Sequence, residues 1–425
     1  MSLETLEREI FEELETIPTI DAHEHLPTEE SRVRQTLDFF DLFNHYCVWD
    51  LNAAGATDED IAFWRDKGKP LVQRWKRFKP FFSAIRTGGY ARSAMIVIRD
   101  LLGFDDLNDR TYEAVGKKLQ AGNKPGVYKK ILREKCTIAA CIDCFVVPGK
   151  YPDYFYHLAR GSEVIDIFDA ERIAALSKQY DTAIHGVDGL LAVLTKAVGT
   201  WRKDKKVVGI KSGHAYSRSI GFEKRTRNEA EQVLANMLKN EVRQISFHDA
   251  IPLQDYLMFE LVARAEACGL PMVFHTGLQA GYRNRIVNAN PLLLQSLLEE
   301  FPRAKFDLFH GGMPYVREIG VLAKYFPNVS LNMAWTHIIN PAQARSALSE
   351  WLDMVPNTKI FGFGGDYTIV EKVYGHLKIA RQNIARVLAE KVNEGSYSRA
   401  EAGRVARRLM LENPADFYGL PRTIQ

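Results

Sequence analysis

Residues 271–312 read PMVFHTGLQAGYRNRIVNANPLLLQSLLEEFPRAKFDLFHGG. Two short apolar runs, Met272–His275 and Lys305–His310, each end on a histidine. Between them lie a polar loop and a helical pattern over Pro291–Phe301, opened by Asn290-Pro291, where the missing proline N–H is not needed. A short apolar run, a loop, a helix and another apolar run describe two buried parallel strands joined by a crossover helix.

The pattern repeats along the chain. Further strands are predicted at Thr19–His23, Ile138–Phe145, Val164–Phe168, Val207–Lys211, Val329–Met333 and Lys359–Phe363. Helical patterns cover Ala170–Lys178, Asn228–Lys239, Leu253–Cys268, Met313–Phe326 and Pro341–Met354, with Glu371–Lys391 and Ser398–Leu411 after the last strand. Gly269 followed by Pro271 is a stop signal for the helix before it. Eight strands alternating with helices predict a (β/α)8 TIM barrel, one domain over residues 1–425. The long stretch between the first two strands is aromatic and helical in pattern, with Trp49, Trp64 and Trp75. It predicts a helical insertion at 27–135, placed as a lid at the C-terminal face. Within it, residues 65–79 are rich in Arg and Lys; a solvated helix face and an anion-attracting surface both fit.

Composition narrows the function. The chain has 425 residues, 46% hydrophobic and 26% charged, with 56 Lys+Arg against 53 Asp+Glu and a net charge of +3. This is globular composition, and its charge balance gives no electrostatic case for nucleic acid or an anionic membrane. No apolar run approaches the ~20 residues that span a bilayer. The acidic start, Met-Ser-Leu-Glu-Thr-Leu-Glu, lacks the features of a signal peptide, so a cytoplasmic protein with reduced thiols is expected. Cys141 and Cys144 have half the spacing of a zinc site without a matching second pair, and they read as buried thiols in a strand.

The predicted strand ends carry the chemistry. His23-Glu24-His25 closes the first strand, and residues two apart on a strand face the same side. Lys211 ends the fourth, His275 the fifth and His310 the sixth, and Gly364-Gly365-Asp366 follows the eighth. Barrel enzymes do their chemistry at these ends. Imidazoles with a carboxylate suit zinc or another first-row divalent ion.

This set resembles the amidohydrolase superfamily, and more narrowly its amidohydrolase-related (amidohydrolase 2) branch. Gly209-Ile-Lys-Ser-Gly-His-Ala-Tyr-Ser-Arg218, His275-Thr-Gly with Asn290-Pro-Leu-Leu-Leu294, Leu308-Phe-His-Gly-Gly-Met-Pro-Tyr315 and Glu412-Asn-Pro-Ala-Asp-Phe-Tyr418 are similar to the amidohydrolase domain fused to glutamine-synthetase-like proteins. The resemblance implies that His23, His25, His275 and Asp366 ligate metal and that Asp366 also moves protons. It gives His310 the role of a further ligand or of a donor to the substrate oxyanion. It implies a carbamylated Lys211 between two ions in binuclear members; an unmodified Lys211 gripping a substrate carboxylate, or pairing with Asp366 in a metal-free site, stays open, and one or two divalent ions, zinc foremost, are expected. Arg218, Tyr282, Arg283, Arg285, His214 and His337 follow strand ends and are substrate-binding candidates, guanidinium groups being suited to carboxylates.

The expected activity is metal-dependent hydrolysis of an amide or ester bond, lactones included, in a small acidic substrate, with Asp366 and His310 catalytic. Decarboxylation or uronate-type isomerisation on the same barrel, and a degenerate binding scaffold, are the alternatives. A homo-oligomer is compatible with the aromatic insertion, which suits an interface as well as a lid.

Overall fold

The structure is a computed structural model that describes residues 2–144, 151–239 and 245–424. Among these residues the strands are β1 Thr19–Glu24, β2 Ile138–Asp143, β3 Phe155–Arg160, β4 Val207–Ser212, β5 Met272–His275, β6 Phe306–Phe309, β7 Val329–Asn332 and β8 Ile360–Phe361. They follow one another in sequence order in a single eight-stranded sheet. Pairing is parallel between β1 and β2 and successively from β3 to β7. The Ala22 N–H donates to Phe363 O at 3.1 Å, so β1 also runs beside the segment leaving β8. The fold is the (β/α)8 barrel that the alternation predicts. Strands β1, β2 and β5–β8 are buried at every position, which is why they read as apolar runs.

One predicted strand is corrected. The run at Val164–Phe168 is not the third strand: Ser162–Ile165 is a short helix, and β3 lies earlier, at Phe155–Arg160. Val164, Ile165 and Ile167 are apolar because they are buried, and a short apolar run does not distinguish a buried turn from a buried strand. The predicted end of the second strand, Phe145, lies outside the described residues.

The helix Pro341–Met354 has its predicted bounds, with the Asn340 side chain accepting from the Ala342 and Gln343 N–H groups. Ile251–Cys268 stops at Gly269, whose φ of 74° is the left-handed conformation of a helix terminator. Pro291–Phe301 resolves into a tight turn, Pro291–Leu294, and a helix, Gln295–Glu300. Two long helices escape the pattern reading, Leu3–Thr16 and Val187–Lys203; the latter buries Leu190, Val193, Leu194, Ala197 and Val198.

By compactness the chain divides into two units, 1–155 with 280–283 and 332–425, and 156–279 with 284–331. In the first, helices Glu29–Val33, Cys47–Ala53, Asp58–Arg65, Leu71–Ile85, Gly89–Ile96 and Tyr112–Gly122 separate β1 from β2. Phe39, Phe40, Phe43, Trp64, Trp75, Phe78 and Phe82 form their aromatic core. The ring of Phe78 lies 5.4–5.6 Å from those of Phe39, Phe40, Phe43, Trp64 and Phe82. Four of the seven basic residues in 65–79 are paired with acids: Lys67 bonds Asp38 and Asp41, Arg74 bonds Asp38, Arg77 bonds Asp60 and Lys79 bonds Asp109. Among the described residues no disulfide joins the five cysteines, four of which are buried. No helix among the described residues is long and apolar enough to cross a membrane.

Candidate functional site

In the first unit β1 carries His23 to its C-terminal end, with His25 just beyond. The two rings meet edge to face, centroids 4.7 Å apart. Both imidazoles converge on Asp366: His23 Nε2 lies 3.4 Å and His25 Nε2 3.3 Å from Asp366 Oδ1. His23 and Asp366 are buried, and His25 is half-buried. Two ligands at ~2.0–2.1 Å from a tetrahedral zinc ion stand ~3.3 Å apart. These nitrogen–oxygen spacings match that figure, and two imidazoles with a carboxylate are a donor set for such an ion. On its other edge, His23 Nδ1 lies 3.4 Å from Cys144 Sγ, which orients the ring.

Asp366 follows β8 in a strained conformation, with φ at 57°. Its N–H donates to His23 O at 2.8 Å. On either side of it, the Gly365 N–H donates to Asp21 Oδ1 at 2.9 Å and the Tyr367 N–H to Glu24 Oε2 at 2.7 Å. Asp21 and Glu24 are fully buried. Burial pushes the Asp21 carboxyl up to about 6. It pushes Glu24 well above the usual carboxylate range, with the Asp21 charge adding to the effect.

In the second unit β5 and β6 end on the other predicted pair. His275 Nδ1 and His310 Nε2 are 3.1 Å apart. His275 Nε2 lies 2.9 Å from Leu278 O, so that nitrogen carries the proton and Nδ1 presents its lone pair. Burial and the Lys211 ammonium push the His275 imidazole down to about 3, which keeps it neutral and able to ligate. Lys211 Nζ sits 3.7 Å from the centroid of the Phe309 ring. The Tyr216 ring, largely exposed, approaches His275 with centroids 4.7 Å apart.

Arg218 is buried, its guanidinium bonded to Asp255 at 2.5 Å and to Gln254 at 3.1 Å. His214 is buried between Asp166, at 3.0 Å from Nε2, and Ser212 Oγ, at 2.9 Å from Nδ1. His337 is buried with Nε2 donating to Gly362 O and Nδ1 facing Asn383 Nδ2. Tyr282, Arg283 and Arg285 are exposed, and the Tyr282 hydroxyl donates to Asp58.

Sequence reasoning gave no role to Asp21 or Glu24 and read Cys144 only as a buried thiol. The signal was present: two acids inside a strand of an all-buried barrel are costly unless each has a partner. Which backbone those acids would meet is not written in the pattern.

Comparison with known proteins agrees with this picture. The amidohydrolase family model matches residues 229–420. The protein fluG of Emericella nidulans is 26% identical over 226 residues, 51% of this chain, and the match spans only about a quarter (26%) of that relative's length. Among solved structures, a glucuronate isomerase from Caulobacter crescentus is similar at a TM-score of 0.81, with 17% identity over 98% of this chain and 94% of that one. A uronate isomerase from Thermotoga maritima follows at 0.79, with 14% identity over 97% of each chain. At such identities the likeness is one of fold. Residues 229–420, which carry His275, His310 and Asp366, match the amidohydrolase family model, and the chain folds as a (β/α)8 barrel.

Proposed function

We propose that the chain is a metal-dependent hydrolase acting on an amide, ester or lactone bond of a small, carboxylate-bearing substrate. The observation that carries this reading is the Asp366 carboxylate held 3.3–3.4 Å from two imidazoles at a strand end. The proposed ligands are His23, His25, His275 and Asp366, with His310 as a further ligand or oxyanion donor. A bound divalent ion, zinc foremost, would lower the pKa of water and polarise the scissile carbonyl. Asp366 accepts the proton of the attacking water and returns it to the leaving group. Neutral His275 stays available as a lone-pair donor across the physiological range. Lys211, half-buried beside Phe309, would grip the substrate carboxylate or, if carbamylated, would help hold a second ion. The helical stretch 27–135 is proposed as the lid, and the protein as cytoplasmic.

A second reading, isomerisation of a sugar acid, draws on the two isomerase folds that cover nearly the whole chain. One experiment separates them. The zinc-loaded protein is incubated with N-acyl amino acids, lactones and uronates, and products are followed by NMR. Release of a free acid and amine or alcohol supports hydrolysis; conversion of a uronate to its keto isomer without cleavage sinks the hydrolase reading.

A further inference from the structure

We propose that Glu24, together with Asp21, is a positioning residue: the two buried carboxyl groups clamp the Gly365-Asp366-Tyr367 backbone and so hold the Asp366 carboxylate against His23 and His25. This rests on the reading of Asp366 as a metal ligand.

The argument starts from the strand. In His23-Glu24-His25 the outer two side chains face one way, which leaves the middle one to face the other. Glu24 turns to the loop after β8, where Oε2 accepts the Tyr367 N–H at 2.7 Å. Asp21 Oδ1 accepts the Gly365 N–H at 2.9 Å, and His23 O accepts the N–H of Asp366 between them at 2.8 Å. Three consecutive amides of the loop are therefore held by residues of β1. The loop is held from its carbonyls as well: Tyr367 O accepts the His25 N–H at 3.2 Å, and Gly365 O accepts from His376 Nδ1 at 2.9 Å.

This grip has a purpose at Asp366. Its φ of 57° is one that a non-glycine residue keeps only when its surroundings enforce it. Gly365 is required for a different reason: a Cβ there would collide with Glu24 Oε1 and lie 3.4 Å from Asp21 Oδ2. The carboxyl groups thus occupy the space a side chain would fill. Neither acid touches solvent, so solubility does not explain them. A ligand oxygen displaced by a fraction of an ångström loses its coordination geometry, and groups that orient ligands typically contribute about 10–100-fold in metal affinity.

The test uses the full-length protein and cobalt(II) as probe. Amide hydrogen exchange over residues 364–367 is measured on metal-free wild type, Glu24→Leu and Glu24→Gln, and cobalt(II) affinity is read from its visible absorption. In Glu24→Leu the amides should exchange roughly tenfold faster or more, and affinity should fall by about 10–100-fold. Glu24→Gln keeps an acceptor oxygen for the Tyr367 N–H and should restore both. Wild-type exchange in Glu24→Leu overturns the clamp, as does faster exchange with unchanged affinity. If wild type itself binds no cobalt, the metal reading falls, while the exchange data still judge the clamp. Should Glu24→Leu fail to fold, Gly365→Ala pushes the same clamp apart with both acids kept. It must then show the same two changes, and wild-type behaviour refutes the inference.

Discussion

Replacing Arg218 with methionine decides whether that guanidinium belongs to the substrate or to the fold. The Arg218 side chain is 3% exposed and that of Asp255 1%. Besides Asp255 and Gln254, Arg218 donates through Nε to Ser219 O at 3.0 Å. Methionine keeps most of the volume and removes every donor. Asp255 then retains the Glu223 backbone N–H and Arg225, whose Nε is 3.3 Å away and whose side chain is 27% exposed. Breaking a buried pair from one side costs about 3–5 kcal/mol, because the remaining charge stays desolvated. Two orphaned acceptors add roughly 1 kcal/mol each, and the surviving Arg225 contact offsets part of the total. The expected loss is about 3–4 kcal/mol. Urea unfolding followed by tryptophan fluorescence and by circular dichroism measures it, the two probes checking for an intermediate. Arg218→Met/Asp255→Leu should recover at least half of the loss, since removing both partners leaves no buried charge. A single variant within about 0.5 kcal/mol of wild type would refute the reasoning and return Arg218 to the list of substrate-binding candidates.

Other outcomes follow from the same geometry. Asp366→Asn should keep the fold, because asparagine tolerates the left-handed backbone, yet lose zinc retention and at least about a hundredfold in turnover; full zinc content after dialysis would contradict its role. His337 is held neutral by burial, its pKa pushed down to about 4. Between pH 6.5 and about 4 the unfolded chain binds a proton there that the folded chain does not, so stability falls as pH falls, by about 3 kcal/mol at most from this group. His337→Gln should therefore flatten the dependence of the unfolding midpoint between pH 7 and 5, and an unchanged slope would exclude the histidine as its source. Gly375→Ala should destabilise by about 1–3 kcal/mol although alanine is the better helix former, because a Cβ there collides with Ser93 O in the helix Gly89–Ile96. A rise in thermal midpoint would show that the two helices part without cost.

The legible part of this protein is local. Seven of the eight predicted strands match a strand of the structure, because strands buried on both faces must be short and apolar, and their ends are marked where polarity returns. The exception, at Val164–Phe168, shows the limit: burial makes a run apolar whatever its backbone does. His23 and His25 are readable as candidates because two-residue spacing on a strand fixes a common side, and Asp366 because it follows the apolar run that contains β8.

Pairing across the chain was not legible. Nothing in the spacing says that Arg218 meets Asp255, that Lys67 and Arg74 both meet Asp38, or that His337 spends both ring nitrogens on Gly362 and Asn383. A sequence shows a charge without its partner. By itself the sequence determined the alternation, the barrel and the residues at the strand ends, since periodicity and burial act within a few residues. Only the tertiary structure decided which of those polar groups are already satisfied, and that two buried acids of β1 hold the loop carrying Asp366, because those contacts close over more than 340 residues of chain.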